Sequence, residues 1–196
     1  MVKNRSQLGL LIVTCVLFLQ ACWGGQIKNA VEWPIEHFEY TDHNGKPFSL
    51  ADLEGKVWVA TFIFTNCKTV CPPMTANMAR LQRMVAQEGL EQVEFVAFSV
   101  DPEVDTPEAL REYATRYTDN TENWHFLTGY VQEHIEQFAR DNFKAIVHKP
   151  ENDDQVIHGT DFYLVNQEGV IVKYYSGLDV PYEEIIGDIK ILLKRG

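Results

Sequence analysis

The run VWVATFIF at residues 57–64, with Cys67-Lys68-Thr69-Val70-Cys71-Pro72-Pro73 close behind it, constrains the fold more than any other stretch. A strand that is apolar at every position cannot leave one face in water. It belongs inside a sheet with helices on both sides. Two prolines are tolerated only in the first turn of a helix. Met74, Met78, Leu81 and Val85 then recur at helical spacing, which predicts a helix over residues 74–86. A buried strand running into a helix is half of a parallel crossover unit, and cysteines at that junction stand where α/β folds gather chemistry.

The rest of the chain repeats the alternation. Residues 93–100 read as a second buried strand. Thr106 as cap and Pro107 at the first helical position open a helix to about residue 117. A short strand is expected at 124–127 and a helix at 132–142. Hairpins are expected over 38–50, around Asn44-Gly45, and over 161–175, around 166–169; a helix over 181–194 closes the chain. Strand, helix, strand, helix, antiparallel pair, helix is a thioredoxin-like order. The expected class is therefore α/β, a central mixed sheet flanked by helices, with an N-terminal β-hairpin. The 196 residues suit one domain over 35–196, with no internal repeat and one polar acidic loop at 151–155.

A net charge of −11 without clustered Lys or Arg excludes a nucleic-acid surface. It would also repel an anionic bilayer, so membrane attachment needs its own device, and the N-terminus supplies one. Lys3 and Arg5 precede an apolar run at 8–19, too short to cross about 30 Å of hydrocarbon comfortably, which reads as a secretion signal. Its end, Leu19-Gln20-Ala21-Cys22, resembles a bacterial lipoprotein box, although Gln20 is unusual there. That resemblance implies a signal peptide over 1–21, lipidation of Cys22 and a tether over 22–34, placing the domain on the extracytoplasmic face of the cell membrane. The plainer alternative is an ordinary signal or uncleaved anchor with Cys22 incidental. Cys15 lies in the segment to be removed.

Cys67 and Cys71 remain. Outside the cytosol such a pair can be a disulfide, a redox couple or a metal site. The spacing C-x-x-x-C lets both sulfurs converge on one ion, but also lets them bond to each other. Pro72 and Pro73 remove two helix N-terminal donors after Cys71, which weakens the case for a hydrogen-bond-activated thiolate and favours a soft cation. With no further cysteine in the folded part, a third ligand should be an imidazole. His158, just before the strand DFYLV, lies where thioredoxins carry a cis-proline beside their cysteines. The bland reading of a lone loop histidine is a backbone-satisfied one. The other five are read as solvated (His37, His43), packed in a strand (His125), on a helix face (His134) and on the surface (His148). Met74 and Met78 are read as core, and Asp101 as either an auxiliary carboxylate near the cysteines or a turn residue before Pro102.

Three segments together, TFIFTNCKTVCPPMTANMARLQ, FSVDPEVDTPEALREYA and VIHGTDFYLV, resemble the copper-site, second and His-bearing motifs of the Sco/SenC family, here in its Bacillus-type lipoprotein form. The likeness runs from about residue 36 to the C-terminus. It implies copper, as Cu(I) or Cu(II), held by Cys67, Cys71 and His158, with Asp101 auxiliary. It also implies a part in maturing the CuA centre of cytochrome c oxidase subunit II, as copper donor, thiol reductant or both. The leading expectation is thus a copper-handling assembly factor, and a monomer, since nothing calls for an oligomer. The rival is a thiol–disulfide oxidoreductase cycling a Cys67–Cys71 disulfide. A peroxiredoxin-like peroxidase is a third and weaker reading.

Overall fold

A computed structural model describes residues 25–194. The signal segment, Cys15 and Cys22 lie outside the described residues. Ten strands and four helices follow one another: β1 Trp33–Pro34, β2 Glu39–Asp42, β3 Pro47–Ser49, β4 Trp58–Ile63, α1 Cys71–Gln87, β5 Glu94–Ser99, α2 Pro107–Thr115, β6 Trp124–Thr128, α3 Gln132–Phe143, β7 Val147–His148, β8 Ile157–His158, β9 Asp161–Val165, β10 Val170–Ser176 and α4 Tyr182–Leu193. Eight strands form one mixed sheet in the order β1-β10-β9-β4-β5-β6-β2-β3, and β7 and β8 form a separate ribbon.

β4, β5 and β6 run parallel at the centre, with Trp58 opposite Glu94 and Phe98 opposite Leu127. β9 lies antiparallel on the other side of β4, pairing Ala60 with Tyr163. Every residue of β4 is buried, as its unbroken apolar run requires. One face carries α1, whose Met74, Met78, Leu81 and Val85 are all enclosed. The other carries an aromatic cluster of Phe38, Phe98, Phe138 and Phe143, ring centroids 5.5–5.8 Å apart in the contacts of Phe98 and Phe138. Both methionines are core, as expected.

α1 begins at Cys71, three residues before the start expected from periodicity. The Met74 amide reaches the Val70 carbonyl at 3.1 Å, so Pro72 and Pro73 sit in the first turn, where no intrahelical donor is needed. Thr106 caps α2 by accepting from the Ala109 amide at 3.2 Å. Gly45 closes the first hairpin at φ 75°, in the left-handed region open to it.

Two expectations are corrected. The tether assigned to 22–34 is partly built into the body: Ile27 is buried, the Val31 amide bonds the Val172 carbonyl at 2.9 Å, and β1 pairs with the start of β10. Without β1, β10 would be a bare edge, and covering it is favourable. His43 is not solvated but 1% exposed. Asp42 is turned into the hairpin by bonds from the Asn44 and Lys46 amides, leaving His43 to point inward, edge-on to Phe126 at 5.7 Å. Burial pushes its imidazole pKa down.

Candidate metal centre

Three elements meet at the ends of the parallel strands. β4 leaves the sheet at Ile63, and the Cys67 amide bonds back to the Phe64 carbonyl at 3.3 Å, turning the chain tightly. Cys71 follows as the first residue of α1. His158 arrives from β8, opposite Val147. Alternation in the ribbon decides its direction: Val147 is buried and His158 shares its side, while Ile157, on the other, is 58% exposed.

The ligand-capable atoms of Cys67, Cys71 and His158 all lie within 4.8 Å of one another, the only such group of three or more His, Cys, Asp and Glu found among the described residues. His158 Nε2 stands 3.1 Å from Cys71 Sγ. Its Nδ1 lies 2.7 Å from the Gly159 carbonyl oxygen, which can only accept, so Nδ1 carries the proton and Nε2 presents a lone pair. Phe64 packs edge-on against the imidazole at 5.7 Å and fixes its plane. Two soft sulfurs and one imidazole suit a thiophilic transition metal and do not suit calcium or magnesium.

The two cysteines differ sharply, although their local sequence contexts look alike. Cys71 is fully buried and Cys67 is partly exposed. A hydrogen bond from the Cys71 thiol pulls the Cys67 pKa far below its usual value. The amides of Cys71 and Thr69 add to this, against a burial effect of opposite sign. Burial drives the Cys71 thiol upward, and its bond to Cys67 reinforces the shift. Both shifts run the same way, favouring the charge on Cys67 and the proton on Cys71. The prolines had argued against an activated thiolate. They do strip donors beyond Cys71, but the Cys71 amide just ahead of them points at Cys67 Sγ, 3.2 Å away.

Asp101 is buried at the same end of the sheet, but its carboxylate meets Lys149 Nζ at 2.7 Å rather than the cysteines or His158. The carboxylate tied to the cysteine loop is Asp105, which the sequence reading passed over. It is 0% exposed, and accepts from the Thr65 hydroxyl and the Ser99 hydroxyl, each at 2.6 Å. Its one sequence signal is its place directly before the capping Thr106. Among the other histidines, His37 is exposed, His125 stacks on Phe48 and bonds Glu94 at 3.0 Å, His134 meets the Tyr40 hydroxyl at 2.7 Å, and His148 is exposed beside Glu136. None joins the site. No peptide bond in the described residues is cis, so His158 occupies its place without the thioredoxin proline.

A thioredoxin-like sheet whose active edge carries two cysteines and a histidine defines a class of extended thiol-and-metal proteins. Within it, the chain belongs to the SCO1/SenC family, whose family model matches residues 30–194. It is 49% identical to the SCO1 protein homolog of Bacillus subtilis (strain 168) over 183 residues, 93% of this chain and 94% of that one. The crystal structure of a SCO1/SenC family lipoprotein from Bacillus anthracis superposes with a TM-score of 0.83 at 54% identity, covering 86% of this chain and 99% of the other. BsSco, described as a member of the Sco family of cytochrome c oxidase assembly proteins and as carrying a disulfide switch, superposes at 0.79 with 48% identity, covering 86% and 98%. Arabidopsis thaliana ScoI, solved with copper bound, superposes at 0.69 with 27% identity, covering 81% and 98%.

Proposed function

We propose that this protein is a membrane-anchored copper-binding assembly factor that serves the CuA centre of cytochrome c oxidase subunit II on the extracytoplasmic face. The observation that carries the proposal is the convergence of Cys67, Cys71 and His158 within 4.8 Å. The copper-bound plant relative and the oxidase-assembly role of BsSco support copper as the ion and the oxidase as the recipient. The lipoprotein from Bacillus anthracis supports anchoring through Cys22. The protein is taken to act as a monomer.

Cys67 and Cys71 would supply the thiolates and His158 Nε2 the imidazole, and the copper they hold is cargo to be passed on. Cys71 is fully buried and His158 is held by its Nδ1 bond to the Gly159 carbonyl at 2.7 Å, so they are the retaining ligands. Cys67 is the exposed ligand, which an incoming cysteine of the partner can replace first. Binding draws the remaining proton from the Cys71 thiol, so uptake releases a proton and is favoured as pH rises.

A second reading rests on the asymmetry of the pair. An exposed thiolate with a buried thiol behind it is the arrangement of a disulfide reductant. Cys67 Sγ would attack a partner disulfide and expel one partner thiolate. Cys71, losing its proton, would then attack Cys67 Sγ, closing Cys67–Cys71 and releasing the partner's second thiolate. Two electrons pass to the partner, which takes up the proton. Since sulfurs bonded to each other cannot ligate, oxidation would also turn copper binding off.

The test is a copper titration of the reduced full-length protein in detergent, followed by absorption and paramagnetic resonance. Stoichiometric binding with thiolate-to-Cu(II) charge-transfer bands, lost in His158→Ala, is expected. Absence of binding in a protein whose disulfide still cycles would reject copper handling and leave the reductant.

A further inference from the structure

We infer that Asp105 is the positioning residue of the centre, clamping the Cys67 loop to the start of α2 so that both sulfurs and the imidazole face one point. The inference rests on the proposed copper site but can be judged without it.

Thr65 is the hinge on which the cysteine loop hangs, one residue past Phe64 and two before Cys67. Both of its hydrogen-bond donors go to Asp105. Its hydroxyl reaches Oδ1 at 2.6 Å, and its amide is shared between Oδ1 at 3.2 Å and Oδ2 at 3.3 Å. The Ser99 hydroxyl, at the end of β5, donates to Oδ2 at 2.6 Å. Asp105 is itself immobile: its amide bonds the Asp101 carbonyl at 2.9 Å, and its neighbour Thr106 caps α2. One carboxylate therefore ties together the exits of two adjacent parallel strands and a helix N-terminus. It does so with no exposure to water, where short charge-assisted bonds are strongest.

Within the loop itself the Cys67 amide bonds the Phe64 carbonyl and the Cys71 amide reaches Cys67 Sγ at 3.2 Å, and neither bond fixes the loop to a neighbouring strand or helix. Lys68 and Gln155 reach across it, but from exposed positions. Without the clamp, the turn that carries Cys67 would have to be brought back into register with α1 and His158 each time a ligand or a disulfide bond forms. Preorganised donors avoid that entropic cost, and a ligand set 1 Å loose loses much of its affinity. Asp105 makes no hydrogen bond to either sulfur; what it holds directly is the amide and hydroxyl of Thr65, and Asp105→Asn, which removes its charge but keeps an acceptor, separates that hold from the charge.

Four variants separate this role from plain stability. Asp105→Ala and Thr65→Val break the clamp. Asp105→Asn keeps an acceptor for Thr65 and a polar partner for Ser99, and Thr65→Ser keeps both donors. Asp188→Asn, which weakens a buried ion pair with Lys173 on α4 and β10, is a control of similar destabilisation outside the site. Each full-length reduced protein is titrated with Cu(II) below its unfolding temperature. In parallel, its Cys67–Cys71 disulfide is equilibrated against dithiothreitol with no metal present. Asp105→Ala should weaken Cu(II) binding at least tenfold, shift the charge-transfer band and lower the disulfide equilibrium constant at least threefold. Thr65→Val should follow in the same direction, while Asp105→Asn and Thr65→Ser stay within threefold of wild type. The inference is overturned if Asp105→Ala and Thr65→Val match wild type in both readouts, or if Asp188→Asn reproduces their losses. If wild type itself binds no Cu(II), the copper proposal fails, and the disulfide equilibrium alone decides the clamp.

Discussion

Three residues separate Cys67 from Cys71, and the fold gives them opposite tasks. The exposed sulfur receives amide donors and the neighbouring thiol; the buried one receives apolar surroundings. Two measurable outcomes follow. Limiting iodoacetamide applied to the reduced, metal-free protein should modify Cys67 well before Cys71, at a rate that stays nearly level from pH 6 to pH 8. Peptide mapping checks this, and equal labelling would contradict the asymmetry. For Cys71 the folded thiol pKa is raised, so the stability it allows is fully present below the unfolded thiol pKa of about 8.5. It is lost above that, as the unfolded chain sheds a proton that the folded chain keeps. Reduced protein should therefore lose up to ~1.4 kcal/mol per pH unit on the alkaline side. Denaturant titrations at pH 8 and pH 10 should show this loss in wild type and a smaller one in Cys71→Ala, where only the buried tyrosines, whose hydroxyls burial also holds above their usual range, still resist ionisation. The difference between the cysteines was not legible in the sequence. It depends on which side of the turn faces the core: Cys71 opens the buried face of α1 with Met74, Thr75 and Met78, while Cys67 lies in the loop before it.

The elements that bear the site differ in how openly the sequence displays them. β4, α1 and the α2 cap follow from periodicity, prolines and Thr106, and all stand where expected within a few residues. The β7–β8 ribbon does not. Two-residue strands carry too little pattern to show a period, and their pairing is held by tertiary ties. Lys149 bonds Asp101 at 2.7 Å and Glu103 at 3.0 Å, its amide bonds Glu136 at 2.9 Å, and Gln155 reaches the Asn66 carbonyl at 3.2 Å. Asp101, read as either an auxiliary carboxylate or a turn residue, pairs with Lys149 and so moors this ribbon. Lys149→Met should leave its buried carboxylate unpaired, destabilise the protein by about 2 kcal/mol and weaken copper binding through a looser His158. Chemical denaturation and a Cu(II) competition assay measure the two effects. A change in stability with unaltered affinity would detach the mooring from the site.

At the scale of the whole molecule, the thioredoxin-like order was legible because strand and helix periods alternate cleanly from residue 57 onward. The edge was not, because β1 is two residues long and Ile27 and Val31 carry no pattern of their own. Far from the site, Lys173 is buried against Asp188 and Glu184, each at 2.7 Å, with the Tyr175 hydroxyl closing the group. Breaking this set with Asp188→Ala should cost about 3 kcal/mol and leave the metal site unchanged, measured as a lowered denaturation midpoint with native Cu(II) spectra. If Cys22 carries the proposed acyl group, Cys22→Ala should shift the protein from the membrane to the soluble fraction on cell fractionation. The early burial of the chain bears on how an anchored protein would stand. Ile27 is fixed in the body, and five residues reach at most about 17 Å, so an acyl group on Cys22 would hold the domain close against the lipid surface. The contacts at Val172, Ile171 and Ile191 all lie at the end of the sheet where β4 begins, while the cysteines lie beyond its last residue, a strand of about 20 Å away. Such a molecule is less a float on a line than a short post. Its working end would face outward at a nearly constant height, and its search for a partner in the same bilayer becomes one of lateral position and rotation about a single axis.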